Sequence, residues 1–165
     1  MDNLEFTKLT PEELPAVLEI YNHYILNTTA TFHMHPLTLE EMRGIVFFDS
    51  PNYQTFSIKT GEALCGYVLL TRYKPREAYD GTAEVTVYLK PGYTGKGIGA
   101  QAIRFIEQFA RQKQFHALLA IITGGNTPSI KAFEKNGYIK CAHFKEVGKK
   151  FEQLLDVVAY QKIVE

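Results

Sequence analysis

The chain lacks the features that would tie it to a charged polymer, a bilayer or a metal. It has 18 Lys+Arg against 18 Asp+Glu, so no basic field exists to hold a phosphate backbone, and nucleic acid is not expected as a partner. Long hydrophobic runs are missing as well. The longest, at 45–48, 67–70 and 117–122, fall far short of the ~20 residues that cross a bilayer. The opening Met1-Asp2-Asn3-Leu4-Glu5 has neither the basic nor the apolar region of a secretory signal. The only cysteines, Cys65 and Cys141, lie in apolar strand-like stretches without C-x-x-C spacing. They are expected as buried, reduced thiols, which points to the cytoplasm. His33 and His35 alternate, but no Cys or Glu stands in ligand register with them, so no metal site is expected.

What remains is an ordinary globular composition, 45% hydrophobic and 22% charged over 165 residues. That length is one domain spanning 1–165 by the usual range of about 100–200 residues, large enough to bury roughly 70% of its unfolded surface.

Glu5–Leu9 alternates as a strand. Thr10-Pro11-Glu12-Glu13 combines an N-cap hydroxyl, an early Pro and a Glu three residues on, and predicts a helix with Leu14, Val17, Leu18, Tyr21, Tyr24 and Ile25 on its apolar stripe. Residues 27–32 are polar and β-branched and read as a loop. Thr38-Leu39-Glu40-Glu41 repeats the capping signal for a second helix ending near Phe48. Strands are expected at Gln54–Lys59 and Ala63–Tyr73 around a turn at Thr60-Gly61-Glu62, and at Thr82–Leu89. A Gly-rich stretch, Tyr93–Gly99, leads into a long helix with Ile103, Ile106, Phe109 and Ala110 inward. Ala117–Ile122 is wholly apolar and reads as a strand buried on both faces. Pro128–Lys135 is a short helix stopped by Gly137, and Tyr138–Lys145 and Leu154–Ile163 close the sheet. A meander followed by helix–strand alternation makes a mixed α/β (α+β) domain around one central sheet.

The segment after Thr82–Leu89 is the most informative. Gly95, Gly97 and Gly99 alternate between a strand end and a helix start. Glycines without Cβ atoms let backbone N–H groups converge, and the helix N-terminus adds partial positive charge, which together form an anion cradle. It is not a P-loop, because Lys96 is followed by Gly97 and not by a Ser or Thr that would hold Mg²⁺. It is not a dinucleotide fingerprint either, since the spacing is GxGxG and it comes late in the chain. A metal-free diphosphate carried by a coenzyme fits better.

These residues resemble the coenzyme site of the GCN5-related N-acetyltransferases, and within them the phosphinothricin and methionine-sulfoximine acetyltransferase branch. The resemblance is carried by Ile20-Tyr21-Asn22-His23-Tyr24 with 27–32, by Arg76–Tyr88, by Gly95-Lys96-Gly97-Ile98-Gly99, by Asn126-Thr127-Pro128-Ser129, and by Val147-Gly148-Lys149-Lys150-Phe151 with Leu155-Asp156. It implies a twisted, mostly antiparallel sheet of about six or seven strands flanked by about four helices. It also implies acetyl-CoA as co-substrate without a metal, a small amine as substrate, no membrane or nucleic-acid partner, and a homodimer.

Site roles follow from the same resemblance. Glu84 is the expected general base, a carboxylate within a strand-like run where only a cavity would welcome it. Backbone at Val87, Tyr88 and Leu89 is expected to hold the pantetheine arm and polarise the thioester. Gly95, Lys96, Gly97, Ile98, Gly99 and Ala100 would hold the diphosphate, Asn126 would reach the pantetheine amides or open the following helix as an Asx turn, and Lys135 is expected among the coenzyme contacts. Phe32, Lys74, Pro75, Arg76, Tyr79, Val85 and Thr86 are expected around the acceptor, Arg76 offering a planar fork for a carboxylate or phosphinate. The pattern departs from the family at four places. Thr94 stands for the usual Arg or Gln, Phe133 for His or Tyr, Leu154 for Trp, and His33-Met34-His35 for an acidic loop. A phenyl ring at 133 donates no proton, so no general acid is assigned. The competing readings are an acetyltransferase for a polyamine, aminoglycoside or protein N-terminus, and a non-catalytic acyl-CoA-binding module. A metal-dependent nucleotide hydrolase is more distant.

Overall fold

The computed structural model describes residues 3–165. In chain order it runs β1 (Leu4–Lys8), α1 (Leu14–Asn27), α2 (Leu39–Val46), β2 (Gln54–Thr60), β3 (Ala63–Arg72), β4 (Thr82–Leu89), α3 (Ile98–Gln112), β5 (Ala117–Thr123), α4 (Thr127–Lys135), β6 (Ile139–Lys150) and β7 (Gln153–Ile163). The seven strands form one sheet in the order β1-β2-β3-β4-β5-β7-β6. Every pair is antiparallel except β4–β5. No helix among the described residues is long and apolar enough to cross a membrane.

Strand alternation divides the core between the two faces of the sheet. Val68 and Leu70 of β3 and Val85 of β4 face α3, where Ile103 and Ile106 are buried against them. Tyr67 and Leu69 face the other way, onto Val17 and Ile25 of α1 and Met42 of α2. Each such fully buried aliphatic side chain contributes about 1.5–3 kcal/mol.

The capping signal at Thr10 forms, with its N–H donating to Glu13 Oε1 at 3.2 Å. The first turn is nevertheless 3₁₀, at Pro11–Glu13, and the α-helix begins only at Leu14. Pro15 has no N–H to donate back to Pro11, so the α ladder cannot start earlier. The second capping threonine, Thr38, accepts from the Glu41 N–H at 3.2 Å.

Two expectations about the sheet are corrected. Cys65 is buried, but Cys141 is exposed. The β6–β7 register skips between Lys140 and Ala142, so Cys141 is the extra residue of a bulge, turned out of the ladder. The β5 strand is not covered on both faces, because Ile121 is 42% exposed. The β6 strand also reaches Lys150, beyond the expected Lys145, through a second register shift between Phe144 and Gly148.

Candidate active site

The parallel pair β4–β5 holds only from Thr82 to Glu84, opposite Ala117 to Leu119. Beyond Glu84 the strands part. Thereafter β4 pairs only with β3, through Val85–Leu89 opposite Leu70–Gly66. The opening is a cleft of about 450 Å³, walled by Val85–Leu89 of β4, Ile121 and Ile122 of β5, and residues of α3 and α4. The exposure of Ile121 follows from this splay.

The parted edge of β4 leaves backbone groups free. Lys90 N–H still donates to Cys65 O on β3 at 2.8 Å. Leu89 C=O points the other way and accepts from the Tyr24 hydroxyl at 2.5 Å. By the alternation of an antiparallel ladder, the N–H groups of Val87 and Leu89 face the cleft and that of Tyr88 faces β3. Tyr88 therefore reaches the cleft with its other atoms and not as a backbone donor, which refines the expectation for 87–89.

The glycine turn lies across from this edge. Gly95 and Gly97 have φ of 74° and 78°, the left-handed region, and Gly97 is the N-cap of α3. A Cβ at either would meet nothing within 4 Å, so glycine is required there by backbone conformation and not by space. The first intrahelical bond is Gln101 N–H to Gly97 O. Among the described residues, the N–H groups of Gly95 through Ala100 have no acceptor. These unspent donors at the head of a 15-residue helix form an anion cradle, and Lys131 and Lys135 edge the same cleft from α4. Among the described residues no three His, Cys, Asp or Glu cluster as for a metal ion.

Gly95, Gly97, Gly99, Ala100, Asn126 and Lys135 all border the cleft, as do Val85, Thr86, Val87, Tyr88 and Leu89. Asn126 does so while capping α4, its side chain accepting from Ser129 N–H at 3.4 Å. Lys96 and Ile98 do not line it; Lys96 sits 5.5 Å over the Tyr93 ring and the Ile98 side chain enters the core. Sequence reasoning missed Tyr24, a cleft-wall residue whose signal was a hydroxyl within an apolar helical stripe.

Glu84 sits at the vertex where the strands part, half-buried, with Thr86 and Tyr88 following it on the same face of β4. Burial raises its pKa above the ordinary carboxylate range. No cation pairs with it among the described residues. Phe133 is buried at 3% exposure, edge-on to Tyr138.

Of the expected acceptor residues, Val85 and Thr86 line the cleft, whereas Phe32, Lys74, Pro75, Arg76 and Tyr79 are not on its wall. Lys74, Pro75 and Arg76 are exposed on the loop before β4, with Arg76 5.8 Å over the Tyr79 ring and Arg72 bridged to Asp80 at 2.8 Å. Phe32 lies against Gly148, where any Cβ would collide with its ring.

The sequence profile of the acetyltransferase (GNAT) family matches residues 17–138. An L-methionine sulfoximine/L-methionine sulfone acetyltransferase of Pseudomonas aeruginosa is 32% identical over 154 residues, 90% of this chain and 88% of that one. A phosphinothricin N-acetyltransferase of Streptomyces coelicolor is 29% identical over 155 residues, covering 92% and 91%. Among solved structures, a GNAT superfamily phosphinothricin acetyltransferase from Sinorhizobium meliloti in complex with AcCoA superimposes with a TM-score of 0.93 at 25% identity, over 99% of this chain and 89% of that one. The splayed β4–β5 cleft, the glycine cradle and the matched sequence agree: this chain belongs to the acetyltransferase (GNAT) family.

Proposed function

We propose that the chain moves the acetyl group of acetyl-CoA onto the amino group of a small amino-acid-like acceptor of the phosphinothricin or methionine-sulfoximine type, with Glu84 as general base. The observation that carries this reading is the pairing of unspent N–H donors at the head of α3 with an unpaired, half-buried carboxylate at the vertex of the same cleft. The names of the relatives support the acceptor class. When bound, acetyl-CoA supplies a thioester carbonyl with thiolate as the leaving group.

The protein's own groups divide the remaining work. An amino-acid ammonium with a pKa of about 8–10 must lose a proton at a cost of about 1–4 kcal/mol at pH 7. Glu84 accepts it, and a positioned base is worth about 10²–10⁴-fold. The N–H groups of Val87 and Leu89 face the cleft, where one of them would polarise the carbonyl oxygen of a bound thioester, and such a donor contributes roughly 2.7–4 kcal/mol as negative charge develops. Lys74 and Arg76, on the loop that enters β4 two residues before Glu84, are proposed to meet the acceptor's carboxylate or phosphinate, with Pro75 and Tyr79 beneath them and Phe32 as a wall. The free thiols suit a reducing cytoplasm. The exposed Phe144, Val147, Phe151 and Leu154 of the β6–β7 hairpin, each over 50% exposed, offer the apolar surface of a homodimer.

The test is thiol release from acetyl-CoA with a panel of amines. Turnover is expected with phosphinothricin or methionine sulfoximine and not with spermidine or an aminoglycoside. Release with none of them contradicts the reading.

A further inference from the structure

We propose that Lys150, which does not line the cleft, is a positioning residue for the acceptor amine: its ammonium pins residues 29–32 as a wall on the face of the sheet that bears Glu84. The inference rests on the acetyl transfer just described and deepens it. The two faces of the sheet divide the reactants. Helix α3, with the cradle at its head, packs on the face shared by Val85 and Val87, so the coenzyme approaches from there. Tyr88 packs on the opposite face among residues of α1, and strand alternation puts Glu84 and Thr86 on that face too. The amine therefore meets its base on the α1 side of the parted strands.

The segment that leaves α1 borders that side, and its Ala30 lines the cleft. Residues 28–34 form no helix or strand, so no backbone ladder fixes their course. Ties from three elements do so instead. From α1, the Tyr21 hydroxyl meets Thr31 Oγ1 at 2.7 Å. From β5, Thr123 Oγ1 donates to Thr29 O at 2.7 Å. From β6, Lys150 Nζ donates to Thr31 O at 2.8 Å, and the Phe32 ring lies so close over Gly148 that a Cβ there would stand 2.9 Å from Phe32 Cζ. The segment is thus strapped from α1 to the far half of the sheet.

Of these ties, Lys150 is the one that carries a charge. It is 2% exposed, no carboxylate pairs with it among the described residues, and it donates to Thr31 O. Lysine is almost never fully buried without a partner. An ammonium withdrawn from water holds its carbonyl firmly, because letting go leaves the charge unmatched. The Phe151 ring, 5.1 Å away, adds a cation–π contact. With Thr31 fixed in this way, Ala30 and Phe32 on either side of it keep their places, and Lys150 shapes the acceptor's wall from behind.

The experiment measures thiol release from acetyl-CoA with phosphinothricin or methionine sulfoximine, whichever turns over faster, in three variants. Lys150→Met keeps the stem and removes the donor. It is expected to raise the acceptor KM about tenfold, the order set by losing one hydrogen bond from a charged group. Its kcat and acetyl-CoA Kd should be unchanged, since only acceptor binding is lost. Thr123→Val removes the tie from β5 at constant shape and should raise the acceptor KM about fivefold. Lys149→Met, exposed and one residue away, should match the unmodified protein. A lower Tm with unchanged acceptor KM in Lys150→Met marks a merely structural lysine and overturns the proposal, as does an equal rise of KM in Lys149→Met. Should Lys150→Met fail to fold, Thr123→Val decides: a raised acceptor KM upholds the pinned wall and an unchanged one overturns it. Thiol release with no amine undoes the acetyl-transfer reading and this inference with it, whereas unchanged KM beside normal turnover undoes the positioning alone.

Discussion

Replacing Glu84 by glutamine is the most informative perturbation of the site, because it removes a charge and a basic lone pair at nearly constant shape. As a general base Glu84 should account for about 10²–10⁴-fold in rate, or roughly 2.7–5.4 kcal/mol at 1.36 kcal/mol per decade. The thiol-release assay at saturating acetyl-CoA should show that loss in kcat. Coenzyme affinity should be unchanged, since the cradle donors belong to Gly95–Ala100 and not to Glu84. The raised pKa adds a second, independent readout. A carboxyl whose folded pKa lies above its unfolded value binds protons more tightly in the native state. Its stabilising contribution is complete below the unfolded pKa and is lost as pH rises through the folded one. A glutamine amide in its place carries no such titration. The Glu84→Gln variant should therefore gain stability relative to the unmodified chain as pH rises from the ordinary carboxylate value through the raised one, with the difference fading at the acid end. Rate in the unmodified protein should rise over that window as the carboxylate forms. Full activity in Glu84→Gln refutes the base assignment, and a Tm difference independent of pH refutes the burial argument.

Other substitutions test the scaffold. Gly97→Ala puts an L side chain at φ 78° with no clash, so backbone strain of about 1–2 kcal/mol should weaken acetyl-CoA binding about 5- to 30-fold by calorimetry, while acceptor KM stays put. Asn126→Ala removes the cap of α4 and should cost about 1 kcal/mol, seen as a lower Tm, together with weaker coenzyme binding. Gly66→Ala would bring its Cβ to 2.6 Å from Tyr88 O and 2.8 Å from Leu89 Cδ2. The obstacle is backbone, so denaturant unfolding should show a loss of about 1–3 kcal/mol. Sedimentation should find a dimer that Phe151→Lys separates into monomers; a monomer at every concentration contradicts the hairpin interface.

Legibility in the sequence followed local chemistry. Thr82–Leu89 and the glycine cradle could be read because alternation and GxGxG spacing are written in adjacent residues. The β6–β7 turn could not, since Phe151 and Glu152 adopt φ of 51° and 61° without the Asn-Gly or Gly signal such turns usually carry. Placement of β7 between β5 and β6 is likewise a long-range choice that no window of residues encodes. The Cys141 bulge is hidden for the same reason, because a bulge exists only relative to a partner strand. Within the site, the glycine turn at the head of α3 was legible and the contact of Tyr24 was not. Its hydroxyl meets Leu89 O across 65 positions, a contact that only the fold creates. The acceptor pocket was the least legible part, because Lys74, Arg76 and Phe32 sit on loops whose course depends on packing.

The central claim is that the open edge of β4 and the head of α3 together receive a diphosphate-bearing thioester. Crystals soaked in acetyl-CoA test it directly. The diphosphate oxygens should lie about 2.7–3.2 Å from N–H groups of Gly95–Ala100, with the thioester between the parted strands beside Glu84. A cleft left empty at millimolar coenzyme, or a diphosphate bound away from that helix terminus, contradicts it.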